Sequence, residues 1–134
     1  MIVDTSALMA ILLAEPDGDT LARMILRASA AQVAAPTLVE CLVVAIAKFG
    51  PEGGVRLYEL LDALRIEVVP FDGRLARLAG EGFEHFGKGR HPAGLNFGGC
   101  FSYALARGGG EPLLFKGDDF TRTDIQAADA AQGG

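Results

Sequence analysis

Short apolar runs alternate with longer amphipathic stretches along the chain. Four runs predict buried strands, at residues 1–3, 32–35, 66–69 and 113–115. The stretches between them repeat apolar residues three and four positions apart, as in helices with one buried face. This alternation predicts an α/β fold in which a central, mostly parallel sheet is flanked by helices, with residues 1–134 as a single domain.

Local signals set the ends of several elements. Thr5 or Ser6 is predicted to cap the first helix, and Asp72 to cap the helix after the third strand. The third run, Ile66–Val69, alternates too little for a half-exposed strand and predicts an interior parallel strand that stops at Pro70. Six helices are predicted, at residues 5–15, about 21–28, 36–49, after Gly53-Gly54 to 64, from 72 onward and 97–107.

Composition excludes several classes of protein. The chain has 134 residues, of which 50% are hydrophobic and 22% charged, so it is not of the disordered type. Its two cysteines, Cys41 and Cys100, lie in apolar surroundings and predict core residues rather than a disulfide framework or a zinc site, which favours the reducing cytoplasm. The apolar run at 7–14 is shorter than the roughly 20 residues that span a bilayer, so no membrane role is expected.

The charge balance is acidic. Seventeen acidic and twelve basic residues give a net charge of −5, unlike that of many nucleic-acid binders, so an anionic substrate must be met by local bases or through a metal ion. One segment is locally positive and could contact phosphates, although a solvated helix face and loop explain it equally well. Its members are Arg74, Arg77, Lys88, Arg90 and His91.

Candidate acidic residues follow two of the predicted strands. Asp4 follows the first strand, and Asp118 and Asp119 follow the last, at the sheet edge where sites form in open α/β folds. Glu40 is surrounded in sequence by apolar residues, and a buried carboxylate needs a partner. A cluster of carboxylates with few nearby bases favours Mg²⁺ or Mn²⁺ as that partner.

Each acid also has a structural interpretation. Asp4 can cap the first helix, Asp118 and Asp119 can be turn residues, and Glu40 can belong to an ion pair. The combination, rather than any one residue, indicates a site.

Three polar residues near these acids each have more than one predicted role. Thr5 and Ser6 are predicted first as helix caps and second as contacts to a metal-bound water or a phosphate. Asn96 can orient the acidic pocket or serve in a turn or cap.

Four segments in order resemble a known family. They are Asp-Thr-Ser-Ala-Leu at 4–8, Glu40 in its apolar helix, Leu-Asn-Phe-Gly-Gly-Cys-Phe-Ser-Tyr-Ala-Leu-Ala at 95–106, and Leu-Leu-Phe-Lys-Gly-Asp-Asp-Phe at 113–120. Together they resemble PIN-domain ribonucleases, specifically VapC-type toxins of toxin-antitoxin pairs, from residue 1 to about 125.

The resemblance implies an Mg²⁺-dependent endoribonuclease that is neutralised by a VapB-like antitoxin and is usually a homodimer. The family's roles pass to Asp4, Glu40 and Asp119 as the catalytic and metal-binding acids. Asp118 aligns with a more variable position and is the weaker choice.

The chain departs from the family at Gly99, where an aspartate is normally found after Asn-Phe-Gly. This glycine removes a negative charge and up to two oxygen ligands from the expected cluster, and neither Asn96 nor Ser102 restores that charge. We therefore expect the chain to cleave RNA far less well than a Gly99→Asp variant.

Two alternatives remain at this stage. The first is a non-catalytic PIN-like module that binds antitoxin, RNA or both, which Gly99 favours and the three retained acids disfavour. The second is a phosphoacceptor domain of the receiver type, because an acidic pocket at strand ends also suits aspartyl phosphorylation.

Overall fold

The computed structural model describes residues 1–129 and contains four strands and six helices in that range. The strands are β1 (Ile2–Val3), β2 (Ala31–Ala34), β3 (Ile66–Val69) and β4 (Leu113–Leu114). The helices are α1 (Thr5–Leu12), α2 (Gly18–Arg27), α3 (Ala35–Phe49), α4 (Pro51–Ala63), α5 (Gly73–Phe86) and α6 (Phe97–Gly109). The predicted α/β architecture with a parallel sheet is confirmed.

The four strands form one parallel sheet in the order β3-β2-β1-β4. Ile2 is in register with Gln32 on one side and with Leu113 on the other, so β1 is central. The carboxyl ends of β1 and β4 therefore lie side by side. The predicted interior position of β3 is wrong: it is an edge strand that pairs only with β2, and its Glu67 and Val68 are exposed on opposite faces of the sheet.

Two apolar cores cover the two faces of the sheet. The central strand shows the division, because Val3 packs into the core beneath α1 to α4 while Ile2 packs into the core beneath α5 and α6. Successive side chains of a strand point to opposite faces, so a strand buried on both sides is apolar throughout. Cys41 and Cys100 are buried free cysteines, one in each core, as their apolar surroundings predicted.

Helix ends agree with the sequence signals in part. Asp72 caps α5 as predicted, accepting the Leu75 N–H at 3.0 Å. The cap of α1 is Asp4 rather than Thr5 or Ser6, because the hydroxyls of those two residues bind carboxylates of the site. Helix α1 ends at Leu12, before the predicted residue 15.

Helices α3 and α4 approach each other closely at Gly53. A β-carbon built on Gly53 would lie 2.2 Å from the carbonyl oxygen of Ala45. At Gly54 the nearest atom is a Leu42 methyl at 3.7 Å, which is an ordinary contact. The sequence placed both glycines before the helix, whereas α4 begins at Pro51 and includes them.

Within the described range, no helix combines the length and the apolar character that a transmembrane segment requires.

Candidate active site

A cavity of about 200 Å³ opens at the carboxyl ends of β1 and β4. It brings together three acids that are far apart in sequence, Asp4, Glu40 and Asp119. The other lining residues are Thr5, Ser6, Asn96, Gly99 and Phe120. The structure therefore gathers the sequence-predicted acids and their polar neighbours at one place, with Gly99 among them.

Asp4 lies at the end of β1 and is only 7% exposed. Its Oδ2 accepts the Ser6 N–H at 3.1 Å and the Ser6 hydroxyl at 2.7 Å. Its Oδ1 accepts the hydroxyl of fully buried Ser102 at 2.5 Å. The helix-cap interpretation of Asp4 is thus correct, and the same carboxylate also lines the cavity.

Ser102 contacts the site, although the sequence analysis assigned it no role there. It lies on α6 between buried apolar residues and is 98 positions from Asp4 in sequence. The available signal was a polar residue on the buried face of an otherwise apolar helix, because such a residue requires a hydrogen-bond partner.

Glu40 enters the cavity from α3 and is half-buried. Its Oε1 accepts a short hydrogen bond from the Thr5 hydroxyl. In residues 1–129, none of the ion pairs found includes Glu40, so the structure does not support the ion-pair interpretation. Thr5 thus links the start of α1 to α3.

Asp118 and Asp119 are both exposed in the turn after β4. Asp119 lines the cavity, whereas Asp118 is absent from its lining. The backbone carbonyl of Asp118 accepts hydrogen bonds from Thr121, as expected for a turn residue. The geometry thus separates two acids that are adjacent in sequence.

Ser6 and Asn96 fix the walls of the cavity. Besides binding Asp4, the Ser6 hydroxyl oxygen accepts the Lys116 N–H at 3.0 Å, which ties the loop after β4 to α1. The Asn96 side chain caps α6 by accepting the Gly99 N–H at 2.7 Å. Asn96 therefore fills the cap role, and it lies in the lining of the cavity.

Gly99 lies in the first turn of α6 and faces the cavity. A β-carbon there would lie 3.0 Å from a Leu95 methyl, 3.1 Å from the Asn96 side-chain oxygen and 3.4 Å from the Phe120 ring. These neighbours are side-chain atoms and need to move by only a few tenths of an ångström. An aspartate at this position would also be placed favourably at a helix N-terminus.

Cys41 lies beside the acidic residues but is buried in the core. Burial raises the pKa of the Cys41 thiol to about 12; a hydrogen bond to Thr5 opposes this shift, and the carboxylates of Asp4 and Glu40 add to it. The thiol is therefore protonated at neutral pH and does not act as a nucleophile.

The positively charged segment lies outside the cavity. Arg74 donates to the Gly108 carbonyl at 3.1 Å, at the far end of α6, about 15 Å along the helix from Gly98. Arg90 donates to the Glu84 carbonyl at 3.4 Å, and His91 accepts the Ala93 N–H at 3.0 Å. Arg77 and Lys88 are exposed. None of these five basic residues lines the acidic cavity.

The donor chemistry of the cavity fits a hard divalent cation. Carboxylate and hydroxyl oxygens are the ligands that Mg²⁺ and Mn²⁺ prefer, and Asp4, Glu40 and Asp119 are the residues that would hold the ion. In the part of the chain that the structure describes, however, no three His, Cys, Asp or Glu side chains are arranged closely enough to bind a metal. Gly99 adds no carboxylate to the lining of the cavity.

Fold and cavity together define the class of this protein. The PIN-domain family profile matches residues 1–126, and the chain belongs to that family. Within the family, its relatives are VapC ribonucleases. It is 42% identical over 127 residues to Ribonuclease VapC of Mycolicibacterium smegmatis, covering 95% of this chain and 98% of that protein. It is 43% identical over 129 residues to Ribonuclease VapC42 of Mycobacterium tuberculosis, covering 96% and 98%.

Solved structures share the fold at lower sequence identity. VapBC2 from Rickettsia felis, bound to a DNA fragment from its promoter, aligns with a TM-score of 0.75 at 15% identity and covers 96% of both chains. Mycobacterium tuberculosis VapC20, described as a toxin that cleaves the sarcin-ricin loop, aligns with a TM-score of 0.73 at 18% identity, covering 95% of this chain and 97% of that one. The resemblance to VapC-type PIN domains is confirmed.

Proposed function

We propose that this chain is a toxin of a toxin-antitoxin pair, built as a divalent-metal-dependent endoribonuclease that Gly99 impairs. The observation that carries the proposal is the shared cavity of Asp4, Glu40 and Asp119, with Gly99 in the same wall. The VapC ribonuclease relatives support RNA as the substrate class.

The residues of the cavity have separate roles in this proposal. Asp4, Glu40 and Asp119 would hold the cation, Mg²⁺ or Mn²⁺, once their carboxylates move together from the positions seen in the structure. Two hydroxyls orient Asp4, and Thr5 orients Glu40. A cation held there would supply Lewis-acid chemistry, which activates water and stabilises negative charge on a phosphodiester during hydrolysis.

Gly99 weakens this arrangement because it contributes no carboxylate to the cavity. The same feature favours the second candidate, a non-catalytic PIN module that acts through its antitoxin or by binding RNA. Membership in the PIN family leaves the receiver-type alternative without support.

A VapB-like antitoxin is the proposed partner, because structural neighbours such as VapBC2 are toxin-antitoxin complexes. The apolar residues of α1 and α2 provide little free surface for it, since Met9 and Met24 are buried, although Leu26 is 53% exposed. The cytoplasm is the proposed location, consistent with the two free cysteines.

A homodimer is also proposed, on an apolar surface beside the cavity. Val39 of α3 and Phe97 of α6 are 58% and 69% exposed and line a groove of about 650 Å³. Apart from Glu40, the lining side chains carry no charge. A patch that is apolar apart from one acid at its edge with the cavity is compatible with the same patch on a second copy, as a two-fold interface requires.

Cleavage of structured RNA by the chain and by Gly99→Asp, side by side with saturating Mg²⁺, tests the proposed function. We expect cleavage by Gly99→Asp that disappears with EDTA or with a second substitution, Asp119→Asn, and much weaker cleavage by the chain itself. Equal cleavage by the two proteins would contradict the impairment. If Gly99→Asp is folded and binds RNA without cutting it, the non-catalytic alternative replaces the nuclease.

A further inference from the structure

Gly98 has a contact that no sequence signal indicated. A β-carbon built on Gly98 would lie 2.1 Å from Glu40 Oε2, 2.7 Å from its carboxyl carbon and 2.8 Å from Oε1. The whole carboxylate of Glu40 therefore rests against the bare backbone of the first turn of α6.

The need for glycine at this position is one of space. Gly98 is absent from the residues with a positive φ angle, so its backbone conformation is one that any residue adopts within a helix. The clashing atoms belong to the end of a flexible side chain rather than to backbone. Alanine at position 98 is therefore compatible with the fold, provided that the Glu40 carboxylate moves.

The displacement is large on the scale of metal coordination. Real β-carbon contacts essentially never fall below 3.0 Å, so an oxygen now at 2.1 Å has to retreat by at least 0.9 Å. Metal-ligand distances in a formed site lie within about 0.2 Å of their usual values, so Glu40 would have to reach a cation shared with Asp4 and Asp119 from a different position.

The geometry points to Gly98 as a positioning residue that seats the Glu40 carboxylate in the acidic cavity. Two contacts define the seat: the Thr5 hydroxyl binds Oε1 of Glu40, and the first turn of α6 supports the carboxylate where Gly98 leaves room. The N-terminus of a helix also favours a negative charge nearby. This inference rests on the proposed function, because it assigns Gly98 its effect through one of the proposed metal ligands.

The test compares Gly98→Ala with Gly54→Ala, which changes a glycine in the first turns of α4 that has ordinary space around it. The probe is Mn²⁺ alone, titrated into the full chain and followed by electron paramagnetic resonance. We expect Gly98→Ala to weaken Mn²⁺ binding by about tenfold or more, as disturbed ligand support does. Gly54→Ala should leave the affinity within about twofold of the parent.

A double-mutant cycle separates positioning from a general structural effect. In a Glu40→Gln background, Gly98→Ala should weaken Mn²⁺ binding no further, since its effect passes through Glu40. If Gly98→Ala binds Mn²⁺ as tightly as the parent, or if its loss persists with Glu40→Gln, the inference is overturned while the proposed function stands.

If the parent binds no Mn²⁺, the proposed metal dependence is overturned. A second measurement, made without metal, then still tests the position of Glu40. The ¹³C resonance of the Glu40 carboxyl reports its surroundings directly. If this resonance shifts in Gly98→Ala and not in Gly54→Ala, the positioning role of Gly98 is supported. An unchanged resonance in Gly98→Ala overturns it.

Discussion

The hydroxyl of Ser102 donates to Oδ1 of Asp4 at 2.5 Å, although the two residues lie 98 positions apart in sequence. Ser102 is fully buried in α6, and Asp4 ends the central strand. This bond ties the helix that carries Gly99 to the strand that carries the first acid of the site.

Replacing Ser102 by alanine should destabilise the protein. The change leaves a buried carboxylate oxygen without its donor, which costs about 1–3 kcal/mol in free energy of unfolding. Urea unfolding of Ser102→Ala measures the loss, with exposed Ser29→Ala as the control, expected within about 0.5 kcal/mol of the parent. Equal stabilities for the two variants would show that the bond does not contribute.

The two adjacent glycines of α4 should respond oppositely to alanine. Gly53→Ala forces the α3 and α4 backbones apart, because its β-carbon meets the Ala45 carbonyl, and should cost about 1–3 kcal/mol or more. Gly54→Ala has room and should gain up to about 1 kcal/mol from higher helix propensity. Thermal unfolding of both variants checks this, and a Gly53→Ala protein as stable as the parent would refute the close approach.

Stability should fall at alkaline pH because of Cys41. Its pKa is about 12 in the folded protein and 9.0 ordinarily, so between these values the folded state binds more protons than the unfolded state. The free energy of unfolding then decreases as pH rises above about 9, by up to about 1.4 kcal/mol per pH unit. Tyr103, whose pKa is also raised to about 12, mainly by burial, adds to the same trend.

Urea unfolding across this pH range, for the parent and for Cys41→Ala, isolates the contribution of Cys41. The variant should lose stability less steeply with pH than the parent. If the free energy of unfolding fell equally steeply with pH in both proteins, burial would not raise the pKa of the Cys41 thiol as described.

The apolar groove beside the cavity should be the homodimer surface. Phe97→Lys places a charge in this groove and should weaken self-association by about a hundredfold or more, since lysine is strongly disfavoured in an apolar interface. Val55→Lys, on α4 at 57% exposure, is the control and should leave it unchanged. Sedimentation equilibrium measures the dissociation constant of the dimer for both variants. If the parent is a monomer, or if both variants weaken the dimer equally, the groove is not the interface.

The local patterns of the sequence predicted the sheet and marked four candidate acids, and only the family resemblance preferred Asp119 to Asp118. Apolar runs marked the strands, and an acid after β1 or within the apolar helix α3 was visible as an exception to its surroundings. The edge position of β3 was not predictable in this way, since an apolar strand does not reveal how many neighbours it pairs with.

The contacts between distant elements could not be predicted either. Ser102 meets Asp4, and Gly98 meets Glu40, only because α6 packs against both β1 and α3. The spacing of residues along the chain does not predict which helices and strands pack against each other. Local patterns likewise do not separate Asp119 from Asp118, because that difference depends on the path of the turn after β4.

The central claim is that Asp4, Glu40 and Asp119 share one divalent cation, and calorimetric titration of Mn²⁺ into matched variants tests it most directly. The adjacent pair provides the sharpest comparison, since both residues are exposed in one turn but only Asp119 lines the cavity. Asp119→Asn should weaken Mn²⁺ binding by about tenfold or more, as should Asp4→Asn and Glu40→Gln, while Asp118→Asn stays within about twofold of the parent. Equal effects of Asp118→Asn and Asp119→Asn, or unchanged affinity in all four variants, would contradict the account.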